Sequence, residues 1–277
     1  MKTVEAVVNG EARAVREKDR RLTDHLRRRG PCAVAFSVGL DSAFLLSAAR
    51  EALGERVLAV TAAAVYMPRR DLAEAAAIAR ELRVAHLRIP VPLPAPLRRN
   101  PPDRCYLCKR RLLSLILAEA GARGFATVVD GSNADDAPED RAGMRALREL
   151  GVASPLRELG WTKTDVRAAA RIRGIAIWDK PPDACLLTRI PPGQVVTGTG
   201  LRRIDAAERR LARLGFRAVR VRSHGELARV EVAPEDLERF FEAGLRREVL
   251  QALRSVGYRY VSLDLEGYRT GSMNRRR

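Results

Sequence analysis

The stretch CAVAFSVGLDSAFLLSAARE, Cys32 to Glu51, decides the fold. It opens with an apolar run, Cys32 to Phe36, of the length of a buried strand. Small residues follow from Ser37 to Ser42, and an amphipathic helix then runs on to near Gly54. The same strand–turn–helix rhythm recurs downstream. RVLAVTAAA reads as a second buried strand, and DLAEAAAIARELRV as a helix with Asp71 as its N-cap. AHLRIPV reads as a third strand, and a Pro-rich loop from Pro90 to Pro102 leads into a helix over YLCKRRLLSLILAEAGARG. FATVVDGSNADD supplies a fourth strand and a polar loop. An amphipathic helix ending at about Arg29 precedes the whole series. The alternation predicts an α/β fold, an open parallel sheet with helices on both faces.

A helix over TKTDVRAAARIRG and a strand-like IAIWDK come next, before PPDACLLTRIPPG. From about Val195 the rhythm changes. A helix from Arg202 to Leu214 precedes two alternating strands, RAVRVRS and LARVEVA, joined as a hairpin through His224, Gly225 and Glu226. Helical segments from Glu235 to about Val256 and a last strand, YRYVSLDLEG, complete a small α+β domain. The expected boundaries are residues 1–195 for the α/β domain and 196–277 for the second.

A chain of 277 residues can bury such a core. No apolar run approaches the roughly 20 residues a membrane span needs, and the first residues lack an apolar signal core, so the expected location is the cytoplasm. Four cysteines in that compartment point to metal binding or catalysis rather than disulfides. The net charge of +17 suits anionic partners. Nearly all of it is arginine, with lysine only at positions 2, 18, 109, 163 and 180. An Arg/Ala compositional bias explains this charge, and the runs Arg27–Arg29 and Arg275–Arg277 read as solvated faces.

The turn after the first strand is placed to bind an anion. Ligands of open parallel sheets bind at the carboxyl ends of strands, and a helix start presents free N–H groups. Ser37 and Ser42 add hydroxyl donors, Gly39 allows close backbone approach, and Asp41 suits Mg²⁺. The turn lacks the Gly-Lys-Ser/Thr of a Walker A loop. It resembles the PP-loop of ATP pyrophosphatases, S-G-G-x-D-S, whose members cut ATP between the α- and β-phosphates and adenylate a substrate. Val38 stands where that pattern has glycine, so a requirement for positive φ would strain this loop.

Cys105 and Cys108 form C-x₂-C in RCYLCK, Cys185 lies far downstream, and Cys32 reads as a core residue. A structural zinc wants four ligands, and His25, His86 and His224 have no ligand spacing. A thioredoxin-like pair would follow a strand, whereas here a long Pro-rich loop precedes. Three thiolates suit a [4Fe–4S] cluster with one open iron; three unrelated thiols are the alternative.

The loop, NPPDRCYLCK, DGSNADD, SPLRELGWTKTDVR, WDKPPDACLLTRIPPG, LGFRAVRVRSHGELARVEV and GYRYVSLDL, in this order, resemble the LarE family over about Leu22 to Asn274. The resemblance implies an adenine nucleotide α-hydrolase-like fold and an ATP-dependent sulfur transferase of nickel-pincer cofactor biosynthesis. Its substrate would be pyridinium-3,5-biscarboxylic acid mononucleotide, whose carboxylates become thiocarboxylates through acyl-adenylates. The family has two modes. In one, the cysteine matching Cys185 gives up its own sulfur; in the other, three cysteines hold a [4Fe–4S] cluster. Cys105, Cys108 and Cys185 match the second. ATP, Mg²⁺ and the cluster are the implied cofactors, with Ser37, Gly39, Asp41 and Ser42 at the nucleotide and Cys185 and Asp41 as catalytic residues.

Arg220 and Arg222, two apart on a strand, share a face and form a plausible fork for the substrate phosphate; a solvent face is the bland alternative. Thr188 and Arg189 would add phosphate contacts beside the sulfur donor. Asp135 and Asp136 would serve metal or ribose, or cap a loop, and Glu208 is a further candidate. A sulfide source, a nickel-insertion protein of the same pathway and a homo-oligomer are the expected partners; nucleic acid and membrane are not. Two rival readings are a PP-loop [4Fe–4S] tRNA thiolase, against which no added RNA-binding module is found, and a non-catalytic nucleotide-binding protein with a degenerate loop.

Overall fold

The computed structural model describes residues 2–136, 141–180 and 184–269, without the side chains of 2–12, 141 and 142. The Arg275–Arg277 run lies outside them. The chain divides into two compact units. Residues 1–63, 70–91 and 105–182 form the first, and 64–69, 92–104 and 183–277 the second.

In the first unit, β1 (Cys32–Ala35), β2 (Val57–Ala64), β3 (Ala85–Val91) and β4 (Thr127–Asp130) form a four-stranded parallel sheet in the order β3-β2-β1-β4. Cys32 pairs with Val57 on one side and Thr127 on the other, so β1 is central. Its residues Cys32, Ala33 and Val34 are fully buried, which is why it reads as a continuous apolar run rather than an alternation. Burial also pushes the Cys32 thiol up to about 11, so it stays a neutral core group. The helices α1 (Lys2–Arg29), α2 (Leu40–Leu53) and α7 (Lys163–Ile172) pack against one another. The rest of the unit comprises α3 (Arg69–Glu81), α4 (Arg104–Gly121), α5 (Arg141–Glu149) and the single turn α6 (Pro155–Glu158). The chain leaves β1 for β2 on one side and fills β4 on the other side later. The carboxyl end of β1 is therefore a topological switch point, where such sheets bind ligands.

Two expectations are corrected here. IAIWDK is not a strand. Trp178 N–H donates to the Ile175 carbonyl and Lys180 N–H to the Ile177 carbonyl, so consecutive turns bury Ile175 and Ile177 while imitating strand alternation. Asp71 is not an N-cap, because α3 starts at Arg69 and Asp71 sits buried in its first turn.

In the second unit, α8 begins at Gly198, earlier than Arg202, because Thr197 caps it by accepting the Gly200 N–H. β5 (Val219–His224) and β6 (Leu227–Val232) form the expected antiparallel hairpin, with Gly225 at φ 64°. β7 (Tyr260–Leu263) pairs parallel to β6. Together with α8 (Gly198–Arg213) and α9 (Ala243–Arg254), these strands close a core around Leu211, Phe216, Val221, Val230 and Leu253.

The register of the first sheet sets Asp130 opposite Ala35, so Gly131 leaves β4 beside the turn that follows β1. A Cβ on Gly131 would stand 2.7 Å from the Ser42 nitrogen and 2.9 Å from its Cα. Backbone cannot yield as a flexible side chain does. Gly131→Ala should therefore cost roughly 1–3 kcal/mol of stability, which a denaturant melt measures.

Candidate active site

The turn after β1 is stitched by its own side chains. Ser37 Oγ donates to Ser42 Oγ at 3.2 Å, and Ser42 Oγ donates to the Gly39 carbonyl at 2.9 Å. Gly39 is the N-cap of α2 with an extended backbone, and no side chain caps the helix. The first N–H groups of α2 are thus not taken by a cap. Ser37 and Gly39 are exposed, whereas Val38 and Leu40 are buried, so the turn shows its polar residues outward and anchors itself through its apolar ones.

Asp41 stands in the first turn of α2. Its Oδ2 accepts from Lys163 Nζ at 2.5 Å, while its Oδ1 is buried with no hydrogen-bond partner among the described residues. An orphaned carboxylate oxygen at an uncapped helix start fits a hard cation such as Mg²⁺, which prefers oxygen ligands. Lys163 opens α7, fixed there by a capping box of Thr162 and Asp165, and its N–H donates to Asp135 Oδ2 at 2.7 Å. Asp136 Oδ2 accepts the Asn133 N–H at 3.0 Å. Both acids therefore brace the loop after β4. Asp130, which ends β4, accepts from Ser132 and Ser154 hydroxyls at 2.7 and 2.6 Å and pairs with Lys109 at 3.3 Å.

Sequence reasoning missed the lysines. Lys180 pairs with Asp71 at 3.2 Å and with Glu74, and reaches the Val38 carbonyl at 3.5 Å. Burial alone would lower its pKa, but Glu74 and Asp71 raise it, so it holds its proton. Of 51 basic residues only five are lysine, and three of those, Lys109, Lys163 and Lys180, surround the loop or the strand end beside it. That scarcity was the available signal. In a chain that uses arginine elsewhere, lysine persists where a compact ammonium is needed and a guanidinium is too large.

In the first unit, Cys105 and Cys108 lie one turn apart in the first turns of α4, Cys105 exposed and Cys108 half-buried. Tyr106 between them is held by its hydroxyl on Glu149 at 2.7 Å and by the Arg145 guanidinium 3.7 Å from its ring centre. Two accessible thiols at this spacing suit iron–sulfur ligation. Among the described residues, no three His, Cys, Asp or Glu side chains are grouped as a metal site.

Cys185 belongs to the second unit, half-buried and preceding a single 3₁₀ turn, Leu186–Arg189. Its carbonyl accepts the Thr188 N–H at 3.0 Å and the Thr188 hydroxyl at 2.9 Å. Arg189 is fully buried. It meets Glu208 through two nitrogens at 2.8 and 3.2 Å and donates to the Ala184 carbonyl at 2.8 Å. Glu208 also accepts the Val221 N–H at 3.0 Å. Arg189 and Glu208 together pin the Cys185 turn to α8 and β5. Arg220 and Arg222 share a face of β5 but are only 5% and 4% exposed, which excludes the solvent-face reading. Arg222 donates to the Thr188 carbonyl at 2.9 Å and to Glu231 at 2.7 Å, and Arg220 lies over the Tyr268 ring.

Val38 adopts φ 68°, the left-handed region, and is 1% exposed. The strain costs roughly 1–2 kcal/mol. Burying the isopropyl group contributes about 1.5–3 kcal/mol, so the two nearly cancel. Val38→Gly should accordingly change stability by no more than about 1 kcal/mol, against the ~2–5 kcal/mol typical of emptying a buried apolar site. A urea melt decides it: a loss beyond 2 kcal/mol would mean that no strain is relieved.

No protein-family model matches the chain. It is 38% identical over 244 residues to an uncharacterised protein of Synechocystis, covering 87% of this chain and 91% of that protein. It is 33% identical over 172 residues to an uncharacterised protein of Methanocaldococcus jannaschii, covering 62% of this chain and 66% of the other. It is also 36% identical over 244 residues to the pyridinium-3,5-bisthiocarboxylic acid mononucleotide synthase of Lactiplantibacillus plantarum, covering 87% of this chain and 88% of that enzyme. With the loop, the switch point and the second unit in place, an alignment of that extent means that the chain belongs to the LarE family, the family of that synthase.

Proposed function

We propose that this enzyme is an ATP-dependent sulfur insertase acting on pyridinium-3,5-biscarboxylic acid mononucleotide. The observation that carries the reading is the Ser37–Ser42 loop with its Asp41–Lys163 pair in a chain of this family. A carboxylate is a poor acyl donor because its leaving group would be oxide. Attack of a substrate carboxylate oxygen on the α-phosphorus of ATP forms an acyl-adenylate, and the bond to the β-phosphate breaks to release pyrophosphate. AMP is then a competent leaving group when sulfur attacks the acyl carbon.

The chain's own residues position and neutralise. Ser37, Gly39, Ser42 and the start of α2 cradle phosphate oxygens. Asp41 would hold Mg²⁺ through its orphaned oxygen, the ion neutralising phosphate charge when bound, and Lys163 would place an ammonium beside the same phosphates. Thr188, Arg220 and Arg222 supply donors for the phosphate of the mononucleotide. Arg189, spent on Glu208 and the Ala184 carbonyl, serves that site by holding the Cys185 turn. Cys105, Cys108 and Cys185 would hold a [4Fe–4S] cluster, which supplies sulfide when bound. The reading includes a cytoplasmic homo-oligomer, a cellular sulfide source and a nickel-insertion partner. No helix among the described residues is long and apolar enough to cross a membrane.

Anaerobically purified protein should carry about four irons per chain and convert the mononucleotide to its thiocarboxylate with release of pyrophosphate and AMP. Cys185→Ala should abolish sulfur transfer. Cys105→Ala should abolish it as well and remove the iron. If Cys105→Ala is instead nearly silent, and intact mass shows each chain losing a single hydrogen sulfide after reaction, then Cys185 gives its own sulfur and the cluster is not the donor.

A further inference from the structure

Asn100 lies near the end of the Pro-rich segment, five residues before Cys105, and nothing in the chemistry above uses it. It is completely buried, and its backbone sits at φ 43° in the left-handed region. Asparagine tolerates that region better than most residues, but the following residue is Pro101, which disfavours helical backbone at the position before it. A strained, buried polar residue persists when its surroundings over-determine it. Here the surroundings are three carbonyls. Asn100 Nδ2 lies 2.7 Å from the Ile190 carbonyl, 3.1 Å from that of Leu187 and 3.3 Å from that of Pro191. The backbone joins in: the Asn100 carbonyl accepts the Gly193 N–H at 3.1 Å, and the Arg98 carbonyl accepts the Val196 N–H at 2.8 Å. The segment 98–100 is thus laced to the segment 187–196, all within the second unit.

Those carbonyls belong to the turn that Cys185 opens. Leu187 and Ile190 bracket Thr188 and Arg189. From within that turn, Arg189 fixes its near end by donating to the Ala184 carbonyl. From outside, Asn100 fixes its far end. A carboxamide NH₂ is suited to this task. It has two donor hydrogens and no charge, whereas a lysine or arginine would bring a buried charge and an aspartate would set negative oxygens against carbonyl oxygens.

We propose that Asn100 is a positioning residue for sulfur transfer: its carboxamide clasps the Leu187–Pro191 carbonyls and so fixes Cys185 and Thr188. It has no part in adenylation. This rests on the function proposed above, and it adds a residue that holds the sulfur-handling cysteine without touching substrate.

Asn100→Gly is the test, because glycine keeps the left-handed backbone at little cost and removes only the clasp. In the full-length chain, the first-turnover burst of substrate-dependent pyrophosphate should keep a rate within about twofold of wild type, while thiocarboxylate formation falls at least about tenfold. Loss of one hydrogen-bonded clasp of about 1.4 kcal/mol corresponds to that factor. Equal falls in both rates, or an unchanged thiocarboxylate rate, overturn the proposal. A second readout does not need turnover. After chelator and reductant, iodoacetamide should alkylate Cys185 several-fold faster in Asn100→Gly than in wild type, with Cys105 unchanged, as followed by peptide mass. Equal Cys185 rates also overturn the proposal. If wild type forms no thiocarboxylate, the functional reading fails, whereas the alkylation comparison still decides whether Asn100 holds the turn.

Discussion

The close approach of Gly131 to the backbone of Ser42 is the constraint on which the turn after β1 depends. β1 and β4 are neighbours in register, so the two chains leaving their carboxyl ends must pass each other within van der Waals range. Only a residue without Cβ allows the passage. Once it is made, Asp130, Ser132 and Ser154 form one hydrogen-bonded cluster at the end of β4. Asp135, further along the same loop, receives the first N–H of α7 and so sets where Lys163 stands. The geometry of Asp41 and Lys163 is therefore inherited from strand pairing rather than built by the loop itself.

The fold of the first unit was legible because parallel strands buried on both faces leave uninterrupted apolar runs, and the run at Cys32 leads straight into the ligand-binding turn. What the sequence hid depends on distant contacts. Asp71 looks like a cap until Lys180, over a hundred residues later, is seen to bind it. Ile175 and Ile177 alternate as in a strand, yet both are buried by turns. Glu208 is one acid on an amphipathic helix, and its meaning appears only with Arg189 against it. Asn100 opens the NPPDRCYLCK stretch but shows no role there on its own; a single asparagine in a Pro-rich loop is ordinary turn composition.

The second unit is organised by buried ion pairs as much as by its apolar core. Arg189–Glu208 and Arg222–Glu231 are almost without solvent. Desolvating such pairs costs about as much as their attraction returns, so they add little net stability, but removing one partner typically costs 3–5 kcal/mol. They act as locks: each holds a guanidinium in one orientation, and both guanidiniums also bind backbone of the Cys185 turn, at Ala184 and Thr188. Specific placement of that turn is what the burial of charge achieves here.

The scarcity of lysine has a chemical consequence. The proposed acyl-adenylate is an electrophile, and a free amine nearby would be acylated in competition with sulfur attack. The three lysines around the loop are each tied to a carboxylate, Lys109 to Asp130, Lys163 to Asp41 and Lys180 to Asp71 and Glu74. At Lys180 that pairing raises the pKa, so its ammonium has no lone pair to offer. Arginine, which never deprotonates in proteins, makes up nearly all the rest of the basic surface. Under the proposed chemistry, the composition that gives the chain its charge also leaves it poor in groups that the activated intermediate could modify. Amine-directed reagents will accordingly find few lysine targets, and three of the five lie around the turn after β1 or the end of β4.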